Sequence, residues 1–272
     1  MPSIAVIIAA RDASPWIAQC LHSVASQQLP AGWRLQIMVG VDQCEATLAR
    51  ARALALPNLQ LYMFTAHVGP YVVFNTLAHL SHDNLLARFD ADDVMLPDYL
   101  SAQIAQMGGR SEPLITQTWS TYTDSALRPM RAPLANGATT QADGKRNAPS
   151  DGQFVMPQSV VGVLGGFRAW LCHADTEFLT RARLLGIPFK ALPRHLYLRR
   201  VHAASLTNSP LSDYRSKLRL RYAEQIADVK CGFAQIRSVE RVTPTMAPCV
   251  RVPTGRTFLP PKRPRAREER PC

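Results

Sequence analysis

The stretch "RFDADDVM" at 88–95 places three carboxylates, Asp90, Asp92 and Asp93, within four positions, directly after the apolar run Leu85, Leu86, Ala87. Like charges this close repel and raise one another's pKa, so the cluster costs stability unless a cation or strong hydrogen-bond donors sit among them. Such an oxygen-rich edge suits Mg²⁺ or Mn²⁺, which bind through one or two carboxylates and keep positions for phosphate and water. The bland alternative, aspartate ending a strand and capping a helix near Pro97, needs only one such residue. Four more stretches carry residues fit for chemistry. They are Asp42 in "VGVDQCEAT", Gly69 and Asn75 in "HVGPYVVFN", Asp175 and Glu177 in "HADTEF", and His202 in "RRVHAASLT". Each also has a structural reading: acids in a first helical turn are favoured by the helix dipole, for example.

The elements that must position these residues alternate. "SIAVIIA" at 3–9 is a continuous apolar run, and the following segment sets Ile17, Leu21 and Val24 at helical spacing behind a Ser14 cap and Pro15. The rhythm repeats with "RLQIMVGV" and the helical "CEATLARARALA", then with "LQLYMF" and the helical "PYVVFNTLAHL". A fourth strand, "LLARF", delivers the chain to the aspartates, and "LPDYLSAQIAQM" is helical again. Such alternation predicts a mostly parallel sheet flanked by helices, with ligands at the carboxyl ends of the strands. Beyond Met107 a strand at "PLITQTWSTYT", a long loop over 124–152, a helix from "ADTEF" stopped by Gly186 and Pro188, and strands in "FKALPRHLYLRRVH" are expected.

In order and spacing, Asp42, Gly69 with Asn75, "DADD", "HADTEF" and "RRVHAASLT" resemble the GT-A fold glycosyltransferases of family 2, over about residues 3–207. That resemblance implies an inverting transfer of one sugar from a nucleoside-diphosphate donor, commonly UDP-linked, to a hydroxyl of a glycan or lipid-linked saccharide. It implies donor contacts at Arg11, Asp12, Asp42, Asn75 and Asp90, with Asp42 accepting a hydrogen bond from the base. A divalent metal, Mn²⁺ or Mg²⁺, would be held by Asp90 and Asp92, with His202 as a further contact. Asp175 is implied as the base that takes the acceptor's proton, with Glu177 in reserve. The chain departs from the family pattern in three places. "DQCE" stands for "DDGS", "HAD" for "ED", and Phe74 for a basic residue before Asn75. It has no "QxxRW" motif, which argues against a processive synthase.

The charge of +11 is unevenly spread: residues 1–210 hold 17 Lys and Arg against 14 Asp and Glu, and residues 211–272 hold 14 against 6. A near-neutral body with a basic end suggests a tether. The organisation expected is a GT-A domain at 1–210, a helical extension at 211–242, and a disordered Pro/Arg-rich tail at 243–272. The tail would draw the protein to anionic membrane surfaces. It lacks interleaved aromatics, which argues against base-specific nucleic-acid binding. A metal-dependent phosphohydrolase or phosphotransferase is the other alternative; it would require a nucleophilic Asp at the end of the first strand, and Asp12 is offset from there. Six cysteines without CxxC spacing suit reduced thiols. Apolar runs fall far short of the roughly 20 residues that span a bilayer, and no basic-then-apolar leader is present. The expectation is a cytoplasmic protein.

Overall fold

Ile4, Val6 and Ile8 point to one side of the first strand and Ala5 and Ile7 to the other, and all five are fully buried. A strand covered on both faces has this continuous apolar character. The computed structural model describes residues 1–107, 112–134 and 136–254. Its elements begin with β1 (Ser3–Ala10), α1 (Ile17–Ala25), β2 (Arg34–Asp42), α2 (Glu45–Arg52), β3 (Leu59–Phe64), α3 (Pro70–Leu80) and β4 (Leu85–Asp90). They continue with β5 (Val94–Met95), α4 (Tyr99–Met107), β6 (Ile115–Thr123), β7 (Lys145–Arg146), β8 (Phe154–Pro157) and α5 (Gln158–Leu164). The last are α6 (Ala174–Leu184), β9 (Phe189–Arg200), α7 (Lys217–Ile236) and β10 (Cys249–Val252).

One sheet runs in the order β10-β3-β2-β1-β4-β8-β6-β9-β5, with β7 paired to β6. The block β3-β2-β1-β4 is parallel, as its alternation with helices predicts. β8 then joins β4 and β6 antiparallel, and β9 runs parallel to β6. In register, Ala10 faces Val41 and Ala9 faces Asp90, so Asp42 and the aspartate cluster leave the same edge of the sheet.

Each face has its own core. Ile17, Cys20, Leu21 and Val24 of α1 pack on Ile4, Val6 and Ile8. Val73, Phe74 and Leu77 of α3, with Phe167 and Phe178, pack on Ala5 and Ile7. Each large apolar side chain buried in this way contributes about 1.5–3 kcal/mol. Gly40 is what lets α3 lie close to β2, since a Cβ there would fall 2.3 Å from Val73 Cγ1.

Two expectations are corrected. α1 is not capped by Ser14: the Ala13 carbonyl accepts both Trp16 N and Ile17 N, and the helix starts at Ile17 with no side-chain cap. Nor is the chain disordered from 243. Thr245 O accepts from Asn75, Ala247 N donates to Thr76 Oγ1 at 3.1 Å, and β10 pairs antiparallel with β3 from Cys249–Phe64 to Val252–Leu61. Composition suggested disorder because residues 243–272 are dense in Pro and Arg with few apolar anchors, but Pro244 and Pro248 lie outside the four-residue strand, where no amide is lost from the ladder. Residues 255–272 lie outside the described residues. Gly186, at φ +73°, ends α6 as expected, with Gly186 N donating to Arg183 O and Ile187 N to Ala182 O. Among the described residues no helix is long and apolar enough to cross a membrane.

Candidate active site

A cleft of about 630 Å³ opens at the carboxyl edge of β1, β2 and β4, closed on its far side by the start of α6, the end of β9 and the segment leading into α7. Register brings its first wall together. Asp42 ends β2 with its carboxylate buried. Oδ1 accepts Val68 N at 2.9 Å, and Oδ2 accepts Gly69 N at 2.9 Å and lies 2.7 Å from His67 Nδ1. Gly69, at φ +85°, can make this turn because it has no side chain. Arg11 Nη1 donates to the Asp42 carbonyl at 3.0 Å, and its Nε lies 3.6 Å from Asp12. Arg11 and Asp12 therefore form a rim beside the β2 end.

The three aspartates do different things. Asp93 is buried: Oδ1 accepts Arg200 N at 2.9 Å and Oδ2 accepts Gln153 Nε2 at 2.6 Å. Asp90 also accepts from Gln153 Nε2, at 2.8 Å, and its Oδ1 lies 3.0 Å from Arg88 Nη1. Asp92 turns into the cleft, its Oδ2 2.9 Å from His202 Nε2. Burial pushes the Asp93 carboxyl well above the usual carboxylate range, and the charges of Asp92 and Asp90 push the same way. Burial raises Asp90 too, with Arg88 pulling it back and Asp92 adding to the rise. Arg200 braces the turn by donating from Nε to the Asp92 carbonyl at 2.8 Å while its guanidinium lies 4.6 Å over the Trp16 ring. The same Trp16 packs on His202 at 5.2 Å, fixing the imidazole's orientation.

Across the cleft, Asp175 sits in the first turn of α6, which opens from His173 in a left-handed conformation at φ +68°. Asp175 Oδ2 lies 3.9 Å from Arg88 Nη2, so one guanidinium stands between it and Asp90. Arg88 is nearly buried, and its Nη1, although close to Asp90, makes no aligned hydrogen bond.

Two residues assigned from sequence are elsewhere. Glu177 is 0% exposed and does not line the cleft: Oε1 accepts Arg181 Nε at 2.7 Å and Arg168 Nε at 3.0 Å. It is not placed to take a proton from a substrate. Arg181 in turn donates to the carbonyls of Leu164 and Gly166, so the pair anchors the turn between α5 and α6. Asn75 is likewise not a donor contact, because its side-chain amide clasps the Phe167 backbone, donating to O at 2.8 Å and accepting from N at 2.9 Å. Gly166, at φ +101°, allows that clasp, since a Cβ there would fall 2.7 Å from Asn75 Oδ1. Arg11, Asp12, Asp42, Asp90, Asp92, Asp175 and His202 do converge on the cleft.

Sequence reading missed Arg88, His67 and Arg199. Arg88 was detectable, because it stands two before Asp90 on the same face of one strand. His67 stands two residues before Gly69, and nothing local shows that it meets Asp42, 25 residues away. Arg199, which donates from Nη1 to Tyr122 Oη at 3.0 Å, gave no local signal apart from its neighbours Arg200 and His202.

The sequence model of Glycosyl transferase family 2 matches residues 5–202. No curated protein matches the sequence significantly. Among solved structures, S. aureus TarS 1–349 in complex with UDP-GlcNAc superposes with a TM-score of 0.59 at 14% identity, covering 75% of this chain and 60% of that one. The mannosyltransferase PcManGT from Pyrobaculum calidifontis, in complex with GDP-Man and Mn²⁺, gives 0.60 at 18% identity, covering 89% and 66%. The chain thus spans about 60% of the TarS 1–349 structure, and these likenesses establish the fold.

Proposed function

Because the chain belongs to glycosyl transferase family 2, we propose that it moves one sugar from a nucleoside-diphosphate donor, UDP-linked by preference, to a hydroxyl of a glycan or lipid-linked saccharide, with inversion at the anomeric carbon. The observation that carries this reading is the placement of Asp92 with His202 on one wall of the cleft and Asp175 on the other. A nucleotide lying along the ends of β1 and β2 would bring its diphosphate to the first wall and leave its sugar facing the second.

The donor set fits a divalent cation that arrives with the diphosphate. Asp92 and His202 supply two ligands, and among the described residues no group of three or more His, Cys, Asp or Glu side chains is set to hold an ion alone. Mn²⁺ or Mg²⁺ bound there would neutralise charge on the diphosphate leaving group. The remaining chemistry belongs to the chain. Asp175 takes the proton of the acceptor hydroxyl; that oxygen bonds the anomeric carbon from the face opposite the diphosphate as the carbon–phosphate-oxygen bond breaks. Arg88 and Arg199 receive the negative charge that leaves with the nucleoside diphosphate. The basic end of the chain would bring the enzyme to anionic membranes where lipid-linked acceptors reside.

A saturation-transfer NMR screen of UDP-, GDP-, dTDP- and CMP-sugars, with and without Mn²⁺, tests this reading. Metal-dependent binding of one donor class supports it, and no binding of any of them overturns it.

A further inference from the structure

The resemblance gives Asp42 the task of accepting a hydrogen bond from the base, yet three of its carboxylate's acceptor positions are taken from within. Its side chain is 3% exposed, Val68 N and Gly69 N occupy its two oxygens, and His67 Nδ1 takes a second place on Oδ2 at 2.7 Å. One acceptor position on Oδ1 is left, on a carboxylate that is otherwise turned inward. The His67 side chain, by contrast, is 46% exposed and lines the cleft. With Nδ1 donating to a carboxylate, Nε2 of the neutral ring is an acceptor, and its tautomer and direction are set by that bond.

We propose that His67, held by Asp42, is the residue that reads the nucleotide base, accepting through Nε2 the ring N–H of a lactam base; Asp42 is its positioning residue. This deepens, and rests on, the donor reading above. Uracil and guanine present a ring N–H beside a carbonyl. Cytosine and adenine present a bare ring nitrogen there, whose lone pair would meet that of Nε2. A site built to hydrogen-bond one of these edges rejects the other, because its own polar atom is left unpaired. Arg11 supports the same slot. Its Nη1 is tied to the Asp42 carbonyl, which leaves the guanidinium plane on the rim, where a base can stack.

The test is calorimetric titration of the full chain with Mn²⁺ and UDP, GDP, CDP or ADP, adding the ring-N-methylated form of whichever nucleotide binds best. The wild-type chain should bind UDP or GDP roughly tenfold or more tighter than CDP and ADP, and methylation should remove about as much. His67→Phe should flatten the series to within about threefold while leaving the affinity for Mn²⁺-pyrophosphate unchanged, which shows that the diphosphate end remains folded. A His67→Phe chain that still discriminates overturns the inference, as does a wild-type chain indifferent to methylation. If the wild-type chain binds no nucleoside diphosphate, the donor reading fails and this inference with it; binding that ignores the base sinks this inference alone.

Discussion

Asp92 Oδ2 stands 2.9 Å from His202 Nε2, joining residues 110 apart in the sequence on one wall of the cleft. Trp16 holds the imidazole from one side, and Arg200 braces the Asp92 carbonyl, so the two side chains are oriented before anything binds. Asp92→Asn and His202→Ala should each weaken Mn²⁺-dependent donor binding, by about 10–100-fold, the scale at which metal sites lose affinity when their support is removed. Titration in EDTA should show little difference from wild type. Equal loss with and without metal would remove both residues from the cation's edge.

Asp175 faces the cleft from α6, on the other side of Arg88 from Asp90. Asp175→Asn should keep donor affinity within about threefold, because the proposed mechanism gives the residue a role toward the acceptor only. Release of nucleoside diphosphate should fall by about 10²–10⁴, the usual worth of a general base. Lost donor binding with intact turnover would mean that the roles of Asp92 and Asp175 are exchanged.

Much of this arrangement could be read from the chain. "DADD" and Asp42 were recognisable because strand ends recur at regular spacing and a parallel sheet gathers those ends at one edge, whereas Asp175 stood out only through its motif at the start of a helix. Glu177 and Asn75 were not readable, since each is the right residue in the right motif and only packing shows which groups reach it. Arg181 lies one helical turn from Glu177 and closes on it in the core, while Phe167, which Asn75 clasps, is 92 residues away. β10 escaped notice because four residues carry too little pattern, and what orders them is the free edge of β3.

The buried Glu177–Arg181 pair makes a stability prediction. Both side chains are 0% exposed, so Glu177→Gln leaves a buried guanidinium without its carboxylate and should cost about 3–5 kcal/mol. Urea denaturation checks the cost, and donor turnover measured well below the melting temperature should be close to wild type. Loss of turnover in a fully folded Glu177→Gln chain would restore Glu177 as a base.

The basic end can be divided at residue 254. Residues 255–272 carry six Lys and Arg against two Glu, so removing them should lower binding to anionic liposomes at low salt while donor binding and thermal stability hold. Truncation from 243 also deletes β10 and the contacts of Thr245 and Ala247 to Asn75 and Thr76, and should lower the melting temperature as well. Liposome binding unchanged by the shorter cut would sink the tether.

Two walls serving one nucleotide-sugar is the central claim, and the cation's part in it is the most direct thing to measure. Calorimetric titration of the wild-type chain with the donor chosen by the NMR screen, once with Mn²⁺ and once with EDTA, decides it. The account predicts binding roughly tenfold or more tighter with Mn²⁺. The same affinity in both, or no binding in either, would contradict it.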